Sequence, residues 1–282
     1  MTLSEIPISR LVAFVEEDAP FGDITSESVL VKQECSADII AKENVLLAGL
    51  SEIQRLFRHY GVKPESEYTD GDQVDAGAIV LALYGDAHSI LLIERTALNL
   101  IGRMSGIATE TRRIQDMVIA VNTSCRITAT RKTAPGLRIF DKKACMIGGA
   151  DPHRFSLSDA ILIKDTHRVL IPLGEAIQKA KKSGAYHRIE AEAESAEDAV
   201  IAAEAGADIL LLDNMNPDQI QNTLQILTEK GLREKVIIEL SGGITPDIIR
   251  EYAALNVERI SLGMLTHSVR NADFSLEMRQ KR

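Results

Sequence analysis

The chain is poor in aromatic residues: it has no Trp, and aromatic residues make up 4% of its 282 residues. A surface that stacks single-stranded nucleic acid needs several aromatic rings, so we expect none here. The formal net charge of −9 at pH 7 also argues against a general nucleic-acid or membrane surface, because such surfaces are basic. Composition therefore favours an acidic protein whose partners are small molecules.

Cysteine is also scarce, and the three residues Cys35, Cys125 and Cys145 are widely spaced. Their spacing fits neither a zinc motif nor a disulfide framework, so we expect buried free thiols in a reducing cytoplasm. No apolar run approaches the roughly 20 residues that a transmembrane helix needs. The N-terminus has the pattern of an acidic amphipathic helix and not of a signal peptide. We therefore expect a cytoplasmic protein without a membrane anchor.

Hydrophobic residues make up 45% of the chain, enough for one large domain or two smaller ones with real cores. Before residue 93, helical and strand-like runs mix without a repeat, which predicts a small α+β domain. Residues 35–48 and 65–93 predict strands, including the run ILLI, and residues 50–60 predict a helix. Residues 93–120 predict a long helix that links two domains and is either continuous or broken near Ser105-Gly106.

After this helix, short apolar runs alternate with helical stretches. The predicted strands are CRITAT, AILIKD, RIEAEAE, DILLLDN, VIIELSGG and RISLGML, and the helices are 170–182, 195–205, 216–230 and 245–255. Ser195 and Thr245 resemble helix N-caps, and Gly206 resembles a C-cap. Strand–helix alternation implies parallel strands joined by right-handed crossovers. A small closed barrel and an open doubly wound sheet both fit this pattern.

One basic stretch stands out in this acidic chain. Its cations, set among glycines and short apolar runs, are Arg131, Lys132, Arg138, His153, Arg154, Lys164 and His167. Cations in short loops beside apolar strands are suited to binding a multiply anionic small molecule. Either histidine could instead be structural, and His153 is the better functional candidate. Lys142 and Lys143 are expected on a solvated helix face.

Polar residues recur where the predicted strands end, which is where ligands bind in parallel α/β folds. Glu190, Glu192 and Glu194 share one strand face because their spacing has a period of two. This face is either the exposed side of an edge strand or an inward side that needs Lys, Arg or Mg²⁺. Lys132 and Lys164 supply cations, and with Asp213 a magnesium site is plausible.

The segment Ser241-Gly242-Gly243-Ile244-Thr245, which runs from a strand into a predicted helix, has the composition of a phosphate-binding loop. Plain tight turns have the same composition, so the loop by itself leaves both interpretations open. Gly263 and the hydroxyl and imidazole donors of Thr266-His267-Ser268 favour phosphate binding, because barrels often bind phosphate at their last two loops.

Motifs along nearly the whole chain resemble the quinolinate phosphoribosyltransferases, the carboxylating nicotinate-nucleotide pyrophosphorylases. They are EEDAPFGDIT at 16–25, ERTALN at 94–99, SGIAT at 105–109, TRKTAPGLR at 130–138, HR at 153–154, IKDTH at 163–167, LLDNM at 211–215, SGGI at 241–244 and LTHS at 265–268. The resemblance implies an N-terminal α/β sandwich domain, residues 1–105, on which the tail 270–282 packs back. It implies a C-terminal incomplete α/β barrel of about six or seven parallel strands, residues 106–269.

The resemblance also implies a reaction. The family transfers the phosphoribosyl group of phosphoribosyl pyrophosphate to quinolinate with Mg²⁺, and releases nicotinate mononucleotide, pyrophosphate and CO₂ in de novo NAD biosynthesis. It implies a homodimer or dimer-based oligomer in which Arg95 is donated across the interface.

Matched residue by residue, the family's roles fall on three sets. Quinolinate would be held by Arg95, Arg131, His153, Arg154 and Lys164. Catalysis and phosphoribosyl binding would fall to Lys132, Glu192 and Asp213, with Glu192 and Asp213 binding Mg²⁺ directly or through water. Phosphate would be held by Ser241, Gly242, Gly243, Gly263 and His267.

The sequence departs from the family's pattern in two segments, a loop at residues 148–154 and the motif at residues 163–167. Ala150 and Pro152 replace a Gly and an amide residue of the family's GGGxNHR, and Thr166 replaces the Asn of IKxNH. Pro before His-Arg resembles a paralogous branch encoded beside molybdate transporters. Two alternatives therefore stay open: a phosphoribosyltransferase with another anionic acceptor, and a non-catalytic binder of an anionic metabolite.

Overall fold

The computed structural model describes residues 5–184 and 186–279. The first elements are α1 (Ile8–Asp18), α2 (Ile24–Val29), β1 (Glu34–Ala41), β2 (Val45–Leu46), α3 (Leu50–His59), β3 (Lys63–Glu65), β4 (Gln73–Val74), β5 (Ile79–Asp86) and α4 (Ala87–Ile119). They are followed by β6 (Arg126–Thr128), α5 (Arg138–Ile147), β7 (Ile161–Ile163), α6 (Asp165–Arg168), α7 (Leu173–Ser183), β8 (Ile189–Ala193) and α8 (Ala196–Ala205). The last are β9 (Ile209–Asp213), α9 (Pro217–Glu229), β10 (Ile237–Ser241), α10 (Ile249–Ala253), β11 (Arg259–Ser261), α11 (Met264–His267) and β12 (Phe274–Arg279).

The chain divides into two compact units. The first comprises residues 1–112, 134–148 and 265–282, and the second residues 113–133 and 149–264. The division falls inside α4, the helix that the sequence predicts as a link. The predicted domain limits at residues 105 and 269 stay a prediction, and residues 280–282 of the predicted tail lie outside the described residues.

The first unit is built on an antiparallel sheet with the strand order β12-β1-β5-β3. Strand β12 pairs with β1 along its whole length, from Ser36 opposite Arg279 to Ala41 opposite Phe274. Helix α5 belongs to this unit, where Arg103 of α4 donates two hydrogen bonds to the buried Asp141. The expectation of a solvated Lys142–Lys143 face was wrong. Lys142 is fully buried, and Lys143 forms a 2.7 Å ion pair with the buried Glu52.

Helix α4 is one continuous helix, which corrects two predictions. The run ILLI is its second turn and not a strand, because Ile93, Ala97 and Ile101 are buried at helical spacing. The break near Ser105 does not occur. The Ser105 hydroxyl bonds the backbone N–H and carbonyl of Ala48, and a Cβ at Gly106 would overlap the Arg270 carbonyl. Tertiary packing thus requires small residues there and keeps the helix intact.

The second unit contains a parallel sheet with the strand order β6-β11-β10-β9-β8-β7, and all six predicted strands are confirmed. Ser195 caps α8 by accepting the Asp198 N–H, and Gly206 ends it in the left-handed region. The predicted cap at Thr245 was wrong, because residues 246–248 form a turn and α10 begins at Ile249.

This sheet is curled and has two chemically different faces. Asp151 bridges to Thr128 beside β6, whereas His153, two residues later, lies 3.0 Å from Glu190 on β8. Strands β11, β10 and β9 lie between β6 and β8, so the sheet must curve for this contact to form. We call the face that bears Glu190 the concave face. The curvature agrees with the expected incomplete barrel.

Cys125 and Cys145 are buried free thiols, as expected, and Cys35 is half-buried. Burial raises the pKa of both buried thiols to about 12. Among the described residues, no helix is both long and apolar enough to cross a membrane.

Candidate active site

The strand register places polar side chains side by side on the concave face. Ser241 is opposite Asp213, and Ser261 is opposite Thr128. One step nearer the N-terminal ends, Glu239 is opposite Arg259. Side chains that are aligned in a parallel sheet point to the same face. The polar residues that follow one another along the sequence at strand ends are therefore neighbours in space.

The first two glutamates of the predicted triad are buried on this face. Glu190 and Glu192 lie on β8, which has β7 and β9 on its two sides, so the edge-strand alternative was wrong. Glu194 follows the strand and is exposed. Each buried carboxylate has a basic partner: Glu190 lies 3.0 Å from His153 Nε2, and Glu192 lies 3.4 Å from Lys164 Nζ.

The guanidinium groups of Arg131 and Arg154 are close enough for their charges to interact. Burial, together with the nearby charge of Arg131, lowers the pKa of Arg154. The Arg131 Nε is buried without a hydrogen-bond partner among the described residues. Like charges held close together and a buried unpartnered donor both favour an anion between them. The structure therefore brings together two of the cations that the sequence predicts for the acceptor.

The second charged cluster is acidic and is centred on Glu192. Burial raises the pKa of Glu192, and the Asp213 charge raises it further, whereas Lys164 lowers it. Carboxylate oxygens of Asp165, Glu192 and Glu194 lie within 4.8 Å of one another. Hard oxygen donors with surplus negative charge are the ligands that Mg²⁺ prefers. Asp165, Glu192 and Glu194 are therefore placed to share a metal ion. Asp213 is close enough for its charge to act on Glu192, and its role as a metal ligand stays a prediction.

Both histidines of the basic stretch hold a backbone amide of a predicted acceptor-binding cation. His153 Nδ1 accepts the Arg154 N–H at 2.7 Å, and His167 Nδ1 accepts the Lys164 N–H at 3.0 Å. His153 has a left-handed backbone with φ 53°, which is uncommon for a residue with a Cβ. These local bonds fix the loops that carry Arg154 and Lys164.

The predicted phosphate loop follows β10. Gly242 (φ 91°) and Gly243 (φ 63°) are both left-handed. A Cβ on Gly242 would overlap Asn214, whose N–H bonds the Ser241 carbonyl at 3.0 Å, so glycine is required by close packing. A Cβ on Gly243 would meet no atom within 4 Å, so the backbone there is open to a ligand. Because α10 begins only at Ile249, the loop offers backbone amides without a helix N-terminus directly behind them.

The remaining predicted residues are placed as follows. Lys132 is exposed in the loop after β6, and Gly263 follows β11 in the second unit. Arg95 is exposed on α4, Arg138 begins α5, and His267 ends α11, all three in the first unit. The roles assigned to these residues stay predictions.

Sequence reasoning missed one acidic residue of the concave face, Glu239. It is buried, it accepts a hydrogen bond from the Ser261 hydroxyl, and its Oε1 lies 3.6 Å from His153 Nε2. Burial and the Glu190 charge raise the pKa of Glu239 to about 7. A carboxylate inside the apolar run VIIELSGG was the available signal, because a buried strand tolerates such a residue only with partners.

The loop departures are accommodated locally. Among the described residues, the positions other than glycine with positive φ are His153, Asn214 and Asn256, so Ala150 has an ordinary backbone. Pro152 lies inside a turn that is closed by the His153 N–H bonding to Asp151 Oδ1 at 2.9 Å. This turn leaves the carboxylate's second oxygen 3.3 Å from Arg259. The substituted loop is therefore an ordered part of the site.

Two family models match the chain. The model described as quinolinate phosphoribosyl transferase, N-terminal domain, matches residues 23–105, and the C-terminal domain of the same family matches residues 107–277. A probable carboxylating nicotinate-nucleotide pyrophosphorylase of Methanothermobacter thermautotrophicus is 46% identical over 268 residues, which cover 94% of this chain and 96% of that protein.

More distant relatives agree. The human carboxylating nicotinate-nucleotide pyrophosphorylase is 32% identical over 281 residues, covering 99% of this chain and 94% of that protein. The crystal structure of NadC from Streptococcus pyogenes superposes with a TM-score of 0.90 at 33% identity, covering 98% of this chain and all of that one. The chain belongs to the quinolinate phosphoribosyltransferase family.

Proposed function

We propose that this protein transfers the phosphoribosyl group of phosphoribosyl pyrophosphate to quinolinate, with decarboxylation, and forms nicotinate mononucleotide, pyrophosphate and CO₂. The observation that carries the proposal is the proximity of Arg131 and Arg154, together with the buried Arg131 Nε that has no hydrogen-bond partner among the described residues, because an anion would satisfy both groups. Relatives similar along nearly their full length are named as carboxylating nicotinate-nucleotide pyrophosphorylases.

Quinolinate carries two carboxylates and therefore needs paired cations. Arg131 and Arg154 would bind one carboxylate, and Lys164 the other, each through charge-assisted hydrogen bonds. His153, which the family resemblance also assigns to this site, accepts a hydrogen bond from the backbone amide of Arg154. Holding the flat ring in one orientation also presents its nitrogen to the sugar carbon, which replaces a bimolecular encounter by a positioned one.

The sugar, in contrast, needs negatively charged residues beside it. As pyrophosphate leaves, positive charge develops on the anomeric carbon, and Glu192 and Asp213 would stabilise it. These carboxylates also fit Mg²⁺, since burial and mutual repulsion raise the pKa of Glu192 and a bound cation would relieve both. When bound, Mg²⁺ would supply positive charge to the leaving pyrophosphate. Lys132, which is exposed in the loop after β6, would do the same.

The other assignments rest on the family resemblance. The loop Ser241-Gly242-Gly243, together with Gly263 and His267, would bind phosphate oxygens through backbone amides and side-chain donors. In a homodimer, the exposed Arg95 would reach the acceptor site of the neighbouring subunit. Decarboxylation then needs no side-chain nucleophile, because the alkylated, cationic ring nitrogen stabilises the electrons left by CO₂.

The direct test is an assay of the purified protein with quinolinate, phosphoribosyl pyrophosphate and Mg²⁺, followed by chromatography of nicotinate mononucleotide. We expect product that depends on all three components. Arg154→Met should lower kcat/KM for quinolinate by about a hundredfold or more, since it removes a half-buried cation that would pair with a carboxylate of quinolinate. Arg126→Met, which removes an exposed arginine from the same sheet, is the matched control and should keep activity.

Two outcomes would contradict the proposal. Absence of product from a folded preparation that binds phosphoribosyl pyrophosphate but not quinolinate in calorimetry would favour a different anionic acceptor. Equal loss of activity in Arg154→Met and Arg126→Met would mean that the Arg131–Arg154 pair is not the acceptor site.

A further inference from the structure

Beside Arg154 lies a small cavity of about 230 Å³ in the second unit. Its lining includes Glu190 and Glu239, together with Arg188, Ile209 and Ile237, which are at or next to the N-terminal ends of their strands. The cavity thus opens toward the end of the sheet opposite to Asp213 and Ser241. His153 and Arg154 also line it.

The protonation of His153 follows from its two ring contacts. Nδ1 accepts the Arg154 N–H at 2.7 Å, so Nδ1 carries no proton. The single ring proton is therefore on Nε2, which lies 3.0 Å from Glu190 Oε2. His153 is a neutral imidazole that accepts on one side and donates on the other.

This tautomer argues against a metal ion bound by His153, Glu190 and Glu239. His153, Glu190 and Glu239 offer three ligand atoms within 4.8 Å of one another, a distance compatible with a shared metal ion. A metal on Nε2 would need the lone pair that the proton occupies, and moving the proton to Nδ1 would break the bond to Arg154. The geometry therefore favours a hydrogen-bond relay, in which the Arg154 backbone N–H donates to His153 Nδ1 and the His153 Nε2–H donates to Glu190.

The relay needs a strong acceptor in a buried place, and Glu190 supplies it. Its side chain is 4% exposed, and its other oxygen, Oε1, is buried without a hydrogen-bond partner among the described residues. A buried carboxylate with one oxygen unpartnered is costly, so its retention calls for a role beyond packing. Glu239 Oε1 lies 3.6 Å from the same nitrogen, His153 Nε2, and accepts a hydrogen bond from the Ser261 hydroxyl.

We infer that Glu190 is a positioning residue for the acceptor site: it orients the His153 ring, which fixes the backbone amide, and with it the guanidinium, of Arg154. His153 would then act through Arg154 and not by touching the acceptor. The relay also holds the left-handed backbone of His153, since both ring nitrogens are bonded in that conformation. This inference rests on the proposed function, because it concerns the affinity for quinolinate.

The test compares Glu190→Met, which removes the acceptor at similar volume, with Glu190→Gln, which retains an acceptor oxygen. We expect Glu190→Met to raise the KM for quinolinate by about tenfold or more, the effect of losing a charged hydrogen bond. The KM for phosphoribosyl pyrophosphate should stay within about twofold, and Glu190→Gln should restore most of the affinity for quinolinate. Equal changes in both KM values, or no rescue by Gln, would overturn the inference.

Glu258→Met is the matched control. Glu258 bonds Arg233 and the Ile238 N–H near the same end of the sheet, so its loss lowers stability without touching the relay. It should lower the melting temperature and leave the KM for quinolinate unchanged. A KM increase in this variant equal to that of Glu190→Met would show that general loosening, not positioning, causes the effect.

A second measurement needs no variant. Nitrogen-15 NMR of the histidine-labelled wild-type protein should show His153 as a neutral ring protonated at Nε2 at pH 7. A doubly protonated ring, or a proton on Nδ1, would overturn the inference even if Glu190→Met failed to fold. Wild-type turnover tests the proposed function separately. Active wild-type protein with an unchanged KM in Glu190→Met would overturn only the positioning role of Glu190, whereas inactive wild-type protein would overturn the proposed function.

Discussion

The two faces of the parallel sheet differ more than any other two regions of the molecule. Strand β8 shows the contrast within five residues: Glu190 and Glu192 point to the concave face, whereas Ala191 and Ala193 alternate with them and are fully buried. Helices α7 and α8 lie against strands β7 to β9. The apolar face gains hydrophobic free energy from burial, whereas the concave face spends free energy on desolvated charge.

The difference teaches where function can be placed in such a sheet. Buried carboxylates do not improve packing, and their persistence beside Lys164 and His153 is explained by chemistry on a bound ligand. Substitutions on the apolar face should therefore lower stability at every pH, and those of the buried charged residues on the concave face should change catalysis or the pH dependence of stability. The following predictions test this separation, from the largest expected effect to the smallest.

Glu192→Gln should have the largest effect, because it removes the charge that faces both Mg²⁺ and the developing positive charge on the sugar. We expect kcat to fall by about a hundredfold or more. Mg²⁺ at about ten times its Kd should stabilise the wild type by about 1.4 kcal/mol and the variant much less, which melting curves can measure. Unchanged turnover in the variant would remove Glu192 from the mechanism.

Leu240→Ala tests the apolar face one residue away from Glu239. Leu240 is fully buried, so the lost methyl groups and the cavity left behind should cost about 2–5 kcal/mol of the free energy of unfolding. Urea denaturation measures this loss. At a temperature where the variant stays folded, its KM for quinolinate should match that of the wild type. A large change in KM without loss of stability would contradict the separation of the faces.

Glu239→Gln should change how stability depends on pH. Burial and the Glu190 charge raise the pKa of Glu239 from its ordinary value of 4.5 to about 7. The protonated carboxyl therefore favours the folded state below pH 4.5, and this contribution is lost as pH rises through about 7. Relative to the wild type, Glu239→Gln should gain stability up to about pH 7 in urea denaturation. Parallel stability curves would contradict the raised pKa.

Ala150→Gly should have the smallest effect. Because Ala150 has an ordinary backbone, restoring the family's glycine should leave the KM for quinolinate within about twofold. The added freedom of the unfolded chain should cost about 0.4–1 kcal/mol of stability. A marked fall in KM, measured beside the wild type, would show that Ala150 alters the acceptor site.

The sequence predicted the architecture of the second unit well, because strands such as Ile209–Asp213 and helices such as Pro217–Glu229 have clear apolar periods and caps. It was less accurate where packing overrides local preference. The run ILLI has no period that distinguishes a helix from a strand, and Gly106 in α4 is required by the Arg270 carbonyl, which is distant in sequence. The start of α10 was missed because Thr245 has the composition of a cap without its geometry.

The residues of the candidate site were also unequally predictable. Arg131 and Lys164 follow strands in the sequence, and parallel strands end at the same edge, so a shared pocket could be inferred for these two. Arg154 lies in the loop between α5 and β7, so its place in that pocket came instead from the family resemblance. Glu239 could not be assigned, since its partners His153 and Ser261 come from other strands and loops. A pairing of this kind depends on the curl of the sheet, which local sequence does not encode.

By itself, the sequence determined the strand–helix alternation, the acidic and basic residues at strand ends, and the family resemblance, because these depend on the spacing of residue types along the chain. The tertiary structure decided which charges meet. It placed Arg131 beside Arg154, and it turned His153 away from the rim toward Glu190. Ionisation and tautomer depend on distance and burial in space, so these properties of the site exist only in the folded protein.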